Sequence, residues 1–120
     1  MTVKVVSWTV RLAGSAERDF SNIIRWTAEQ FGRSQARVYA QTLSSALQEL
    51  TAGPALSGVT ARDDIASGLL TLHVARKQRK GRHFIMFRTS ERHKRTIDVM
   101  RILHEAMDLS QHVSPDADAK

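Results

Sequence analysis

Along residues 7–13 the side chains alternate, with Trp8, Val10 and Leu12 on one side and Ser7, Thr9 and Arg11 on the other. A period of two is that of a half-buried strand. Val3 and Val5 lie on the opposite phase, so the strand is placed from Ser7. After Gly14 the period changes. Ala16, Phe20, Ile23, Ile24, Thr27 and Phe31 recur at steps of three and four, one apolar face of a helix with Trp26 at its margin. Ser15 is placed to cap that helix, with Glu17 and Asp19 in a first turn that favours negative charge. Gly32 is a natural stop. A second stripe, Ala36, Tyr39, Leu43, Ala46, Leu47 and Leu50, starts from Ser34 and ends at Ala52-Gly53-Pro54. So short a connection as Gly32-Arg33 makes the two helices antiparallel. Both stripes read as core, and Phe20, Phe31 and Tyr39 as packing rather than a cofactor site.

Residues 53–67 read as a surface loop with one helical turn at 62–66. Three apolar runs follow, 68–75, 83–89 and 96–103, separated by polar turns, and they predict an antiparallel meander. The predicted fold is α+β in the order β-α-α-β-β-β, a helical hairpin packed on one face of a mostly antiparallel four-stranded sheet. Residues 1–113 form a single domain. Residues 114–120 lack apolar anchors and read as a frayed tail. Strict alternation places Leu70, Leu72, Val74, Phe84, Met86, Ile97, Val99 and Leu103 on one face of the sheet. Ile85, Phe87, Met100 and Ile102 fall on the other. A sheet covered on one side is normally polar on its free side. At about 25 cal/mol per Å², leaving four such side chains wet costs a few kcal/mol. The second face is therefore expected to be covered by the C-terminal segment, a second copy or a partner.

Composition narrows the possibilities. The 120-residue chain has no cysteine, which excludes disulfides and thiolate ligands. No apolar run approaches the ~18 residues of a membrane span, and the first residues lack the apolar core of a signal peptide. The bacterial cytoplasm is the expected compartment. The net charge of +6 is uneven: residues 76–101 hold ten Lys and Arg against Glu91 and Asp98. Arg76, Lys77, Arg79, Lys80, Arg82, Arg88, Arg92 and Arg95 form a candidate basic patch facing nucleic acid or an acidic partner, with salt-sensitive attraction.

The element order, together with certain stretches, resembles the ParE toxins of the RelE/ParE superfamily. The stretches are Thr9-Val-Arg-Leu12 followed by Ala16-Glu17 and Asp19-Phe20; Trp26-Thr-Ala-Glu-Gln-Phe-Gly32; Gly81-Arg-His-Phe-Ile-Met-Phe-Arg88; and Arg101-Ile-Leu-His104 with Met107, Asp108, His112 and Val113. The resemblance covers residues 7–113. It implies a type II toxin that binds and traps the gyrase–DNA complex without catalysis of its own, so no catalytic residue, cofactor or metal is assigned. A ParD-like ribbon-helix-helix antitoxin would neutralise it in a hetero-oligomer, with Trp26, Ile85, Phe87, Met100 and Ile102 as candidate antitoxin contacts. Nucleic acid would be met through gyrase-bound DNA. Two features depart from the family. Ala13 stands where Thr or Ser usually precedes the first helix, and the turn at 76–82 is longer and more basic.

The alternative is a ribosome-dependent mRNA endoribonuclease of the RelE type. RNA cleavage at a 2′-hydroxyl needs a base, an acid and cations on the phosphate. His83, His104 and the arginines qualify. The only tyrosine, Tyr39, sits on a core stripe, and the C-terminal segment has none. On a helix, His104, Asp108 and His112 would share a face that suits a metal. The simpler reading is structural, with His104 pinning a C-terminal turn through backbone or Asp108, and Arg101 and Met107 likewise part of the scaffold. A Gly-rich phosphate loop, a His-Glu-x-x-His helix and a nucleophile elbow are all missing from the sequence.

Overall fold

A computed structural model describes residues 7–111. Strand β1 (Thr9–Leu12) leads into helices α1 (Gly14–Phe31) and α2 (Arg33–Glu49), then a 3-10 turn at Leu50–Ala52. Strands β2 (Thr60–Ala61), β3 (Leu70–His73), β4 (His83–Thr89) and β5 (Thr96–His104) follow, and a second 3-10 turn spans Leu109–Gln111. The sheet order is β1-β5-β4-β3-β2, with β1 parallel to β5 and the remaining pairs antiparallel. The expected α+β architecture is present, with one addition. The loop after α2 contributes the two-residue edge strand β2, so the sheet has five strands rather than four. No helix among the described residues is long and apolar enough to cross a membrane.

The one-residue link between the helices works because Gly32 sits at φ +91°, where a side chain is strained. Gly53 (φ +97°) closes the turn after α2, and a Cβ there would lie 2.7 Å from Trp8 Nε1. Ser15 does not cap α1. Ala13 holds the N-cap position without a side-chain bond, and Ser15, already inside the helix, donates its hydroxyl to the Met100 carbonyl at 2.8 Å. The reason lies in the sheet. β1 ends at Leu12, its ladder with β5 closing on Ala13 N–H to Val99 O, so residues 100–104 of β5 lack a strand on that side. The first turns of α1 take over. Asp19 accepts the Ile102 N–H at 2.9 Å and holds the Arg101 guanidinium at 2.7 and 2.9 Å. Buried backbone groups need partners, and polar side chains of α1 supply them to β5.

The two-faced sheet exists, but its faces are not those given by strict alternation. Cross-strand register pairs Leu70 with Phe87 and Leu72 with Ile85, which turns Ile85 and Phe87 towards the helices. In β5 a bulge at Met100 breaks the period: Phe87 pairs with Val99 and Met86 with Arg101. One extra residue reverses the phase of all that follow, so Ile102 joins Ile97 and Val99. The helix-side core unites Ala16, Leu43, Ala46, Leu50, Leu72, Val74, Ile85, Phe87, Ile97, Val99 and Ile102. The second face carries Leu69, Phe84, Met86, Met100 and Leu103, and Leu109 from the C-terminal turn, with Ile65 and Ala66, packs over it. The chain seals its own sheet.

Candidate functional site

Three surfaces concentrate the polar chemistry or exposed apolar area of the described residues. The first is the helical hairpin. Trp26, Phe31 and Val38 are 56%, 64% and 59% exposed, and the rings of Trp26 and Phe31 meet edge to face at 5.8 Å. Phe31, expected in the core, projects into solvent because it is the last residue of α1, at the turn end of the hairpin. A shallow apolar groove nearby is lined by Ile24, Arg33, Ala36, Arg37 and Ala40. Of the expected antitoxin contacts, Trp26 alone lies open. Ile85, Phe87, Met100 and Ile102 are buried by this chain's own packing, for the register and bulge reasons given above.

The second surface is basic, and it divides in two. The turn at 74–82 and the turn at 90–95 lie at opposite ends of β4, about 20 Å apart along the strand. In the first, Glu49 at the end of α2 gathers three cations: Arg76 (3.3 Å), Lys77 (3.0 Å) and Arg79 in close contact. Arg76 also donates to the Ser57 carbonyl at 2.6 Å. Burial pushes the Glu49 carboxyl up. Hydrogen bonds from Lys77 and Arg79 and the charges of Arg76 and Arg79 outweigh it and hold the group below the usual carboxylate range. Lys77 and Gln78 turn through positive φ to reach this arrangement. Lys80 and Arg82 remain exposed, Arg82 lying 3.5 Å from Glu105. Arg88 is half-buried within β4.

The second turn is held by its backbone. Ser90 Oγ accepts the N–H groups of Arg92 and His93, Ser90 N–H donates to Thr96 O, and Thr9 N–H donates to Arg95 O. Arg92, His93, Lys94 and Arg95 are all exposed.

The third surface is a titratable cluster at the His83 end of the sheet. Tyr39 Oη accepts the Arg82 N–H at 3.0 Å and lies 2.6 Å from His83 Nδ1. Burial, offset by the Arg82 N–H and reinforced by Glu105, raises the Tyr39 pKa. With Oη already taking the Arg82 N–H, the phenol hydrogen is assigned to the bond with Nδ1. The proton of neutral His83 is then on Nε2. Burial first, then the charge of His104, lowers the His83 pKa to about 4. His83 and His104, direct cross-strand partners, meet edge to face at 5.2 Å. On the other side of the sheet, His73 Nε2 lies 2.7 Å from Glu105; that hydrogen bond lowers the Glu105 pKa despite some desolvation.

Of the C-terminal motif, Arg101, His104 and Asp108 make hydrogen bonds within the chain. Arg101 pairs with Asp19, and that bond raises its pKa. His104 ends β5 and accepts the Ala106 N–H on Nδ1 at 3.0 Å. The segment after it is a turn, not a helix, so His104 and Asp108 do not share a helical face. Asp108 accepts from the Ser110 hydroxyl and N–H, while Met107 is 45% exposed. His112, like Val3, Val5 and the tail, lies outside the described residues. Among the described residues no group of three His, Asp or Glu side chains is placed to hold a metal ion. Glu49 had no distinguishing sequence signal, and the position of Asp19 near the start of α1 did not point to Arg101, because the partners of both lie 27 or more positions away.

Residues 10–109 match the family model described as ParE toxin of type II toxin-antitoxin system, parDE. Toxin ParE1 of Mycobacterium tuberculosis, in two strains, is 29% identical over 102 residues, 85% of this chain and 94% of the relative. Among solved structures, the chromosomal ParDE system of P. aeruginosa superposes with a TM-score of 0.64 at 16% identity, covering 81% of this chain and 95% of that one. The RelBE2 toxin-antitoxin complex of Mycobacterium tuberculosis gives 0.55 at 20%, covering 82% and 99%.

Proposed function

Because this chain belongs to the ParE toxin family of type II toxin–antitoxin systems, we propose that it arrests growth by binding DNA gyrase and trapping it on broken DNA, and that a ParD-like antitoxin neutralises it. The family match over residues 10–109 carries the reading. The surface chemistry supports it. Exposed apolar side chains on the hairpin and exposed cations at the 90–95 turn suit adhesion, whereas Tyr39 and the Nδ1 of His83 are committed to one another. An antitoxin segment with apolar anchors and acidic residues would fit Trp26, Phe31 and the groove edged by Arg33 and Arg37. Purified protein is expected to block supercoiling of relaxed plasmid and to accumulate linear plasmid on denaturation.

The second reading is an mRNA endoribonuclease of the RelE type, favoured by the Tyr39–His83–His104 group. A neutral imidazole beside a phenol is the material of proton transfer. Untouched gyrase together with mRNA cleavage in a translating extract would select it.

A further inference from the structure

We infer that the 90–95 turn binds the phosphate backbone of duplex nucleic acid directly, without gyrase, and that the more heavily charged 74–82 turn does not. The inference stands on its own geometry, apart from the gyrase reading.

The two turns differ in what their cations are doing. At 74–82, one carboxylate with 13% side-chain exposure engages three cations, and the Arg76 and Arg79 side chains are only 16% and 20% exposed. An incoming phosphate would have to displace Glu49 to engage those three. Arg82 lies 3.5 Å from Glu105, which leaves Lys80 as the one exposed cation of that turn without a carboxylate partner among the described residues. At 90–95, Arg92, Lys94 and Arg95 are exposed, and Glu91 is the only acidic residue of the turn. None of the three has a carboxylate partner among the described residues. The loop presenting them is tied at Ser90, Arg95 and Thr96. Little backbone order is left to be imposed on binding.

The partner class follows from what the turn lacks. It has no apolar side chain from Ser90 to Arg95, and a protein partner would need an apolar anchor at the centre of the contact. The exposed large apolar residues lie on the hairpin and at Met107. The turn's only ring is the small imidazole of His93, and it has no Phe, Tyr or Trp to form a platform on which unpaired bases would stack. Closely spaced cations on a short, firm projection suit the regularly spaced phosphates of a duplex.

The test uses purified full-length protein and a fluorescein-labelled 20-base-pair DNA duplex, followed by anisotropy with gyrase absent. About three phosphate contacts give a salt slope near −2.7, so affinity should fall about 40-fold between 50 and 200 mM salt. The variant R92E/K94E/R95E should lose at least tenfold in affinity at 50 mM salt. The control K77E/K80E/R82E changes net charge equally and should stay within about threefold of wild type. Thermal melts of both variants confirm that each is folded. Equal losses in the two variants, or no wild-type binding at 50 mM salt, would overturn the inference. Tighter binding of the single strand, or competition by polyglutamate as strong as by DNA, would also overturn it. Supercoiling inhibition, measured separately, reports on the gyrase reading and can fail or succeed independently.

Discussion

At the scale of single residues, two half-buried polar centres set the response to mutation and pH. Glu49 neutralises a turn that otherwise brings Arg76, Lys77 and Arg79 together. E49Q leaves those cations facing one another in a poorly solvated site and should cost about 2–3 kcal/mol in urea denaturation. An unchanged midpoint would mean that the turn holds without its carboxylate. His83, lowered from 6.5 to about 4, takes up a proton in the unfolded chain before it does in the folded one. Its contribution is therefore complete above pH 6.5, declines as pH falls towards 4 and is flat below, a change of up to about 3 kcal/mol. Glu49, also lowered, adds a further loss as pH falls below the ordinary carboxylate range. Y39F removes the proton donor to neutral His83 and should raise the His83 pKa, read by NMR titration of the ring. A fall in that pKa would reverse the assigned direction of the Tyr39–His83 bond.

At the scale of elements, the joint between α1 and β5 organises the fold. Ser15 and Asp19 stand in for the strand that β1 fails to continue. D19A breaks the pair with Arg101 and strands the Ile102 N–H, for about 3 kcal/mol. S15A removes one neutral bond, for about 1 kcal/mol. Equal losses in chemical denaturation would argue against a charged anchor. The C-terminal turn plays a similar part on the opposite face. Leu109 is 7% exposed and caps Met100 and Leu103. L109A should cost about 2–3 kcal/mol and raise binding of an apolar dye, which a partner-covered face would already bind in the wild type.

At the scale of the whole molecule, the exposed Trp26 and Phe31 lie on the helical hairpin and the exposed Arg92, Lys94 and Arg95 on a turn of the sheet, so any functions they carry should separate too. W26A/F31A should weaken binding of a ParD-like antitoxin at least tenfold, measured by calorimetry, while supercoiling inhibition stays intact. Loss of both together would place target and antitoxin on one surface. Sequestration by Glu49 also explains why local charge density is a poor guide to available charge. Of the eight cations assigned to one basic patch, those at 76–82 and those at 92 and 95 lie at opposite ends of a strand. At the first end, three of them share one carboxylate.

Periodicity along the chain was enough for the order of the main elements, the hairpin and the limits of β4 and β5, because each reflects a local contrast between buried and exposed neighbours. The two-residue β2 carries no such contrast, and β1 and β3 are shorter than their apolar runs. The family motifs were equally legible, being local strings. Two kinds of information were not local. Which face a strand residue occupies depends on register, and the Met100 bulge reversed the phase of Ile102 without any mark in β5 itself. Whether a polar residue is free depends on who sits across space: Glu49 lies 27 or more residues from its cations, and Asp19 lies 82 from Arg101. Tyr39 looked like core from its helical stripe, yet its hydroxyl reaches Arg82 and His83 at the edge of the sheet. Side-chain pattern fixes what a segment prefers to bury. Only the packed chain decides what it buries it against, since pairing over long sequence distances is selected by the geometry of the assembled layers.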